Sequence, residues 1–278
     1  MKFEGFICPL CNNKLKFTGS SLTCSKNHSF DLAKEGYTYL LPVQKKHTHD
    51  PGDSREMVAS RARFLEDGNY KIFADALADI CVDIYKKQGK LLHILDMGCG
   101  EGYYNRVLAE RLSKEGIPFE LLGIDIAKPA VKRAAKLAPM GCSYAVASCF
   151  TCPIKEKWAD IIINVFAPFA NDEILRILKK GGHLIYAVPG AKHLFGLKKV
   201  LYDEPYENKV QDISYPGLKN GEIREVTGFI HVEGERVQDL FCMTPYYWKT
   251  PKEGSEKLAL LNELDTPIQF RFLTFTKK

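Results

Sequence analysis

The fold of this chain is decided by residues 92–103, which read Leu92-His93-Ile94-Leu95-Asp96-Met97-Gly98-Cys99-Gly100-Glu101-Gly102-Tyr103. The stretch opens with a short apolar run, which is typical of a buried parallel strand. Three glycines alternate with other residues at positions 98, 100 and 102. Glycine allows a tight turn and lets a ligand approach the backbone closely. Residues 103–112 follow with apolar side chains at helical spacing, so the order is strand, glycine turn and helix.

A second apolar run, residues 120–126, contains Asp125 near its end. This position places a carboxylate at the tip of the next strand, where a nucleotide ribose would offer two hydroxyl groups. The glycine spacing differs from the dinucleotide fingerprint, which has two residues between its last glycines. A nicotinamide-dependent dehydrogenase is therefore disfavoured, and a ligand-free α/β domain is the structural alternative.

The pattern Asp96-x-Gly98-x-Gly100-x-Gly102 resembles motif I of the S-adenosylmethionine-dependent methyltransferases, and Asp125 resembles their ribose-binding acid. The resemblance implies an α/β, Rossmann-like class I methyltransferase fold with a seven-stranded, mostly parallel sheet. Further strands are expected over residues 142–148, 158–165 and 183–188. A helix is expected over residues 174–178, with residues 179–182 as its C-cap. Alternating residues in the C-terminal part, from 223 to 276, predict an antiparallel edge that closes the sheet.

The composition fits a globular chain with one large domain and a small module. Of 278 residues 45% are hydrophobic, and no apolar run approaches the roughly 18 residues of a membrane span. The first residues lack the apolar core of a signal peptide. Nine cysteines without a secretion signal indicate reduced thiols, so we expect a cytoplasmic protein without membrane association.

Four residues near the N-terminus have the spacing of a structural zinc site. Cys8 and Cys11 are separated by two residues, and Cys24 and His28 form a second pair. Three thiolates and one imidazole would fill all four positions of a tetrahedral ion, which disfavours a catalytic metal. A second Cys-x-x-Cys pair, residues 149 and 152, has no evident partner ligands and is interpreted as structural.

The N-terminal module also carries most of the excess positive charge. The formal net charge of the chain is +5, and residues 1–49 hold seven lysines against three acidic residues. A basic module attached to a nearly neutral domain suggests a polyanionic partner. We divide the chain into a zinc-binding ribbon with RNA-binding character (1–43), a linker and connecting helix (44–69), and a methyltransferase domain (70–278). Ser54 is a suitable N-cap for a helix over residues 55–67.

Several motifs in order make the resemblance more specific. They are the four predicted zinc ligands, Lys34-Glu35-Gly36-Tyr37, Leu41-Pro42-Val43-Gln44, Asp50-Pro51-Gly52-Asp53-Ser54, the glycine turn and Pro189-Gly190-Ala191-Lys192-His193-Leu194. Together they resemble the bacterial 23S rRNA (guanine-N1-)-methyltransferase family. The resemblance implies methyl transfer to N1 of a guanine in a 23S rRNA hairpin, a homodimer, and contacts to the cofactor from Tyr70, Gly100, Glu101 and His193.

The general base stays unassigned at this stage. Asp50, Asp53 and Glu101 fall near the expected site, and any of them could take the N1 proton. Asn164 and residues 166–168 are expected to wall the methyl-transfer site, because they follow a buried strand. Two alternatives remain open. One is a methyltransferase acting on a small molecule or protein with the ribbon as an interaction surface, and the other is a non-catalytic zinc-dependent RNA-binding protein.

Overall fold

The computed structural model describes residues 3–42, 51–210 and 213–278. Its strands are β1 Lys16–Phe17, β2 Ser21–Thr23, β3 Ser29–Asp31, β4 Tyr37–Tyr39, β5 Leu92–Met97, β6 Phe119–Asp125, β7 Cys142–Val146, β8 Ala159–Val165, β9 Leu178–Pro189, β10 Leu218–Glu233 and β11 Glu263–Lys277. Its helices are α1 Arg55–Glu66, α2 Lys71–Gln88, α3 Tyr103–Lys114, α4 Lys128–Lys136, α5 Asn171–Ile177, α6 Phe195–Leu201, α7 Glu235–Cys242, α8 Tyr246–Lys249 and α9 Lys252–Ala259. None of the described helices combines the length and the apolar character that crossing a membrane requires.

The main sheet has the strand order β10-β11-β9-β8-β5-β6-β7-β4. Neighbours from β9 to β4 pair in parallel, and β11 pairs antiparallel with both β9 and β10. The class I fold and the antiparallel edge are therefore confirmed. In the parallel part, the chain crosses from β5 to β6 and β7, then returns to β8 on the other side of β5. This reversal makes the carboxyl ends of β5 and β8 the expected ligand-binding edge.

The sheet has eight strands, so the expected count of seven is wrong by one. The additional strand is β4, which belongs to the N-terminal module and pairs with β7 from Tyr37 opposite Tyr144 to Tyr39 opposite Val146. A three-residue strand carries too little periodicity to show which sheet it joins. The division of the chain at residues 43 and 69 stays a prediction. The predicted linker lies mostly in residues 43–50, which are outside the described part.

The N-terminal module forms a layer on one face of the main sheet. Its own small sheet has the order β1-β2-β3. The buried side chains of Phe3, Phe6 and Leu22 belong to the same core cluster as Leu122 and Ile162 of the main sheet. Helices α2 and α3 cover the opposite face. Because the ribbon buries the apolar surface of the sheet, unfolding the ribbon would expose the core of the larger domain.

Two expectations about the C-terminal half need correction. Residues 179–182, expected as the C-cap of a helix, belong to β9 and form an irregular stretch between two paired positions, Leu178 opposite Ala159 and His183 opposite Ile161. Gly182 fits there because a Cβ would lie 2.9 Å from the carbonyl oxygen of Lys179. Helices α6 to α9 were not predicted, since elements of four to eight residues show no clear helical period.

The elements that frame the glycine turn agree with the sequence. Helix α1 begins where Ser54 was expected to cap it, and the Ser54 hydroxyl accepts a hydrogen bond from the backbone N–H of Met57 at 3.2 Å. The predicted strand and helix around the turn appear as β5 and α3. These elements bring together, at one edge of the sheet, a few residues that are far apart in the sequence.

Candidate cofactor and metal sites

Cys8, Cys11, Cys24 and His28 converge in the ribbon. Their ligand atoms all lie within 4.8 Å of one another. The Sγ atoms of Cys11 and Cys24 are 3.6 Å apart, and Nδ1 of His28 lies 3.4 Å from the Cys8 sulfur. A tetrahedral zinc ion with Zn–S bonds near 2.3 Å holds its sulfur ligands roughly 3.7 Å apart. The cluster therefore has the ligand chemistry and the spacing of a closed structural zinc site, with Nδ1 as the imidazole ligand.

The glycine turn after β5 forms a cradle that side chains would fill. Gly98, Gly100 and Gly102 have φ values of 97°, 55° and 80°, which L-residues rarely adopt. A Cβ on Gly98 would lie 2.4 Å from the Cβ of Ala167, and one on Gly102 would lie 2.9 Å from the Cβ of Ala134. The turn therefore packs against the loop after β8 on one side and against α4 on the other. These contacts explain why glycine is required at the edge where a ligand would bind.

Asp125 lies at the end of β6, beside this turn. Its Oδ2 accepts a hydrogen bond from the Gly100 N–H at 3.0 Å, and its Oδ1 accepts one from the Ala127 N–H at 2.8 Å. Burial raises the pKa of Asp125, while these two backbone donors lower it. Each oxygen receives one donor, and a carboxylate oxygen can accept two. The carboxylate is thus oriented with capacity to accept hydrogen bonds from two ribose hydroxyls.

Two further acids surround the turn. Asp96 is buried at the end of β5, and burial raises its pKa to about 8 while the nearby Asn105 amide lowers it. Glu101 is buried as well, and burial raises its pKa. Oδ1 of Asp96 and Oε2 of Glu101 are buried oxygens without a hydrogen-bond partner among the described residues. Buried polar atoms of this kind are normally satisfied, so Oδ1 of Asp96 beside the turn indicates a polar or cationic ligand, whereas Oε2 of Glu101 already has the Arg61 guanidinium 3.8 Å away.

An arginine that the sequence did not point to lies beside Glu101 of the glycine turn. Arg61 of α1 forms an ion pair with Asp53, and its Nη1 lies 3.8 Å from Oε2 of Glu101. Two of the candidate bases, Asp53 and Glu101, therefore face the same guanidinium. The third, Asp50, lies outside the described residues. The contact joins α1 to the glycine turn over 40 residues of sequence, which spacing alone cannot reveal.

Tyr70 and His193 meet near the loop after β8, where the His193 ring lies 6.2 Å from the Phe166 ring between centroids. The backbone N–H of Gln269 donates to Nδ1 of His193 at 3.2 Å, so the ring proton of the neutral histidine is on Nε2. Nε2 lies 3.3 Å from the Tyr70 hydroxyl and donates to it. Burial lowers the pKa of His193 to about 3 and raises the pKa of Tyr70. His193 is therefore neutral at physiological pH and orients the tyrosine hydroxyl.

Comparisons with known proteins agree with both sites. The family model described as "RlmA, N-terminal" matches residues 6–49, and the model described as "Methyltransferase domain" matches residues 94–182. A 23S rRNA (guanine(748)-N(1))-methyltransferase of Streptomyces fradiae is 35% identical over 195 residues, which cover 70% of this chain and 66% of that protein. YxjB of Bacillus subtilis (strain 168), provisionally named a 23S rRNA (guanine-N(1)-)-methyltransferase, is 30% identical over 273 residues, 94% of this chain and 92% of that protein. A Micromonospora griseorubida protein with the same provisional name is 32% identical over 279 residues, 92% of this chain and 91% of its own.

The chain belongs to the 23S rRNA (guanine-N1-)-methyltransferase family. S-adenosylmethionine and structural zinc are accordingly its cofactors. The orphaned carboxylate oxygens and the glycine cradle fit a ligand that carries a sulfonium and an ammonium group. The assignment of individual ligand residues in this family member stays a prediction.

The second cysteine pair of this methyltransferase family member, Cys149 and Cys152, differs from the zinc-binding cluster in its surroundings. Cys149 is partly buried and Cys152 is buried. Burial raises the pKa of Cys149 to about 12, which leaves its thiol protonated. The Cys152 N–H donates to Oε2 of Glu173 at 2.7 Å. Within residues 3–42, 51–210 and 213–278, neither cysteine belongs to a group of three or more convergent metal ligands. The structural interpretation of the pair is therefore the simpler one.

Proposed function

We propose that this protein transfers the methyl group of S-adenosylmethionine to N1 of a guanine in a hairpin of 23S rRNA. The observation that carries this proposal is a class I glycine turn with its ribose-binding acid, in one chain with a four-ligand zinc ribbon. The match to near full-length relatives named for the same reaction supports it. Zinc would be held by Cys8, Cys11, Cys24 and His28. The proposed ligands of S-adenosylmethionine are Tyr70, Asp96, Gly98, Gly100, Glu101, Asp125 and His193.

Bound S-adenosylmethionine supplies an electrophilic methyl group on a sulfonium, so the protein must align the reactants and handle one proton. The glycine turn would let the cofactor approach the backbone closely, and Asp125 would accept hydrogen bonds from the ribose hydroxyls. The buried carboxyl groups of Asp96 and Glu101 would offer hydrogen-bond acceptors to the ammonium group of the cofactor, and the positive charge of the cofactor would favour their ionised forms. Tyr70, whose hydroxyl is oriented by neutral His193, would also contact the cofactor.

The guanine must lose its N1 proton before or during attack, and N1 lies on the Watson–Crick edge. The target base must therefore lie in a loop or be extruded from its stack. His193 is a poor acceptor for that proton, because Nδ1 already accepts from Gln269 and Nε2 carries the ring proton. The carboxylates of Asp53 and Glu101 remain the described candidates, and the partner that both face is Arg61.

Helix α4 is basic, begins just after Asp125 and adjoins the ribbon. Helix α4 reads Lys128-Pro129-Ala130-Val131-Lys132-Arg133-Ala134-Ala135-Lys136 and contains four basic residues and no acidic one. Lys132 lies 3.4 Å from Glu35 of the ribbon, so the two elements are neighbours. Lys128 and Lys136 are exposed. We propose that RNA phosphates bind along α4 and the ribbon while the target base enters the cleft.

RNA binding as a function of salt tests this surface. Each phosphate contact contributes roughly 0.7–0.9 to the slope of log K against log salt concentration. The double variant K128A/K136A is expected to reduce the slope for a 23S rRNA hairpin by about 1.4–1.8. The control K86A/K87A changes two lysines at the C-terminal end of α2, near the opposite edge of the sheet, and should leave the slope unchanged. Equal slopes for all three proteins would remove α4 from the RNA-binding surface.

We further propose a cytoplasmic homodimer without membrane association. The location follows from the proposed substrate, because ribosomal RNA is modified in the cytoplasm of bacteria. The dimer rests on the family resemblance, in which paired ribbons would hold one RNA. Light scattering of the zinc-loaded protein tests the dimer, and a mass near 31.4 kDa at micromolar concentration would contradict it.

A further inference from the structure

Phe166, at the carboxyl end of β8, has an unusual backbone conformation. Its φ is 52°, in the left-handed region, where a bulky residue is rare and costly. Strained residues persist only where surrounding contacts enforce them, and they concentrate at functional sites. Here the Phe166 N–H donates to the carbonyl oxygen of Ala187 at 3.3 Å, so the chain turns away from the strand while it is still tied to β9.

The loop that follows Phe166 is fixed from both sides. The buried side-chain amide of Asn164 donates from Nδ2 to the carbonyl oxygen of Pro168 at 3.1 Å. The ring of Phe169 stacks on that of Tyr215, with centroids 3.8 Å apart and an interplanar angle of 15°. Ala167 packs against Gly98 of the glycine turn. The backbone of Phe166 is therefore held beside the glycine turn, between its hydrogen bond to β9 and the contact of Ala167 with Gly98.

The Phe166 ring is the open member of an otherwise covered aromatic group. It lies 5.8 Å from Phe73 and 6.2 Å from His193 between ring centroids, and its plane is 29° from each of theirs. Phe73 and Phe270 are fully buried, whereas Phe166 is 47% exposed. An apolar ring that is half open to solvent, on a backbone in a strained conformation, gains little from packing. It presents a flat face at the edge where substrate must arrive.

We propose that Phe166 is a substrate-stacking residue, whose ring packs against the face of the extruded guanine and positions N1 toward the methyl donor. This inference rests on the proposed function and deepens it. Every base has a face that can stack on an aromatic ring, and one such stack is worth about 1–3 kcal/mol. The ring would replace part of the stacking that the guanine loses on leaving its hairpin. Recognition of the guanine edge would come from other groups.

The test compares F166L, F166G and F166Y with wild-type protein on a 23S rRNA hairpin, using full-length, zinc-loaded protein. F166L and F166G should lose roughly 5- to 150-fold in kcat/KM, the equivalent of one base–aromatic stack. F166Y keeps the ring and should stay within about threefold of wild type. Glycine adopts the observed φ without strain, so a loss of kcat/KM in F166G would report on the missing ring and not on the backbone. F229L, at an exposed phenylalanine of β10, is the matched control and should not change activity.

Two further readouts separate stacking from a merely structural role. The Kd for S-adenosylmethionine, measured by calorimetry, should change less than twofold in F166L. A fluorescent 2-aminopurine at the target position should be quenched by wild-type protein and brighter with F166L, because the extruded base would have lost its stacking partner. Activity of F166L and F166G equal to wild type, failure of F166Y to retain activity, or a large loss of cofactor affinity would each overturn the inference. A wild-type protein that methylates no guanine would instead refute the proposed function itself.

Discussion

The substitution Gly98→Ala tests the glycine cradle most directly. The new methyl group is small, so any large effect must come from the local geometry. Gly98 has a φ of 97°, and its Cβ would lie 2.4 Å from the Cβ of Ala167. We expect G98A to fold less stably and to bind S-adenosylmethionine weakly.

The magnitude has two parts. An L-residue held in the left-handed region costs about 1–2 kcal/mol. Carbon atoms come into contact near 3.5 Å, so the loop after β8 must retreat by about 1 Å, and overpacking of this kind costs about 1–3 kcal/mol. The total is about 2–5 kcal/mol. Because that loop borders the cofactor edge, a shift of about 1 Å should also weaken cofactor binding by at least about tenfold.

Gly116→Ala provides the matched control. Gly116 has a φ of 68°, and a Cβ there would meet nothing within 4 Å. G116A should therefore lose only the conformational part, about 1–2 kcal/mol, with unchanged cofactor affinity. The assay is denaturant unfolding of both variants, combined with calorimetric titration of S-adenosylmethionine. If G98A and G116A were equally stable and both bound the cofactor like wild type, the cradle would not exist as described.

Three further predictions concern the metal site, the ribose acid and pH. C24S should lose the bound zinc, measured by elemental analysis, and should lower the unfolding temperature of the whole protein, since the ribbon covers the main sheet; full stability without zinc would contradict this. D125N should weaken S-adenosylmethionine binding about 10- to 150-fold in calorimetry, because an amide loses charge-assisted hydrogen bonds worth about 1.5–3 kcal/mol. The pKa of His193 is lowered to about 3, so between pH 3 and about 6.5 the unfolded chain binds the extra proton and stability falls as the pH falls. H193Q should therefore flatten the dependence of unfolding free energy on pH in this window by up to about 1.4 kcal/mol per pH unit, and an unchanged slope would place the titration elsewhere.

The features that sequence could predict are local ones. The strand, turn and helix around Gly98 follow from apolar runs and glycine spacing, and the zinc ligands follow from paired knuckles. Each signal lies within a few dozen residues, where the chain's own geometry determines the arrangement. Ser54 as an N-cap is of the same kind, because capping requires only a side chain three residues from the N–H that it accepts.

The features that sequence could not predict depend on contacts between distant segments. Strand β4 joins the main sheet through residues about 107 positions further along the chain, since Tyr37 pairs with Tyr144. Arg61 reaches Glu101 across a helix and a strand. The sequence predicts the ribbon as a separate module, because its lysines indicate an exposed surface and its cysteines a local metal site. In the structure, Phe6 of the ribbon is fully buried in the same core cluster as the main sheet. In each case tertiary packing determines the role, and the residue itself carries no local signal.

The central claim is that the glycine turn and the zinc ribbon act together to methylate guanine N1 in 23S rRNA. Mass mapping of methylated nucleotides tests it most directly, in 23S rRNA incubated with S-adenosylmethionine and either wild-type protein or D125N. We expect one added N1-methylguanine within a hairpin for wild type, and a strongly reduced yield for D125N. Absence of the modification with wild-type protein that binds both the cofactor and the RNA, or a methyl group on a different base, would contradict it.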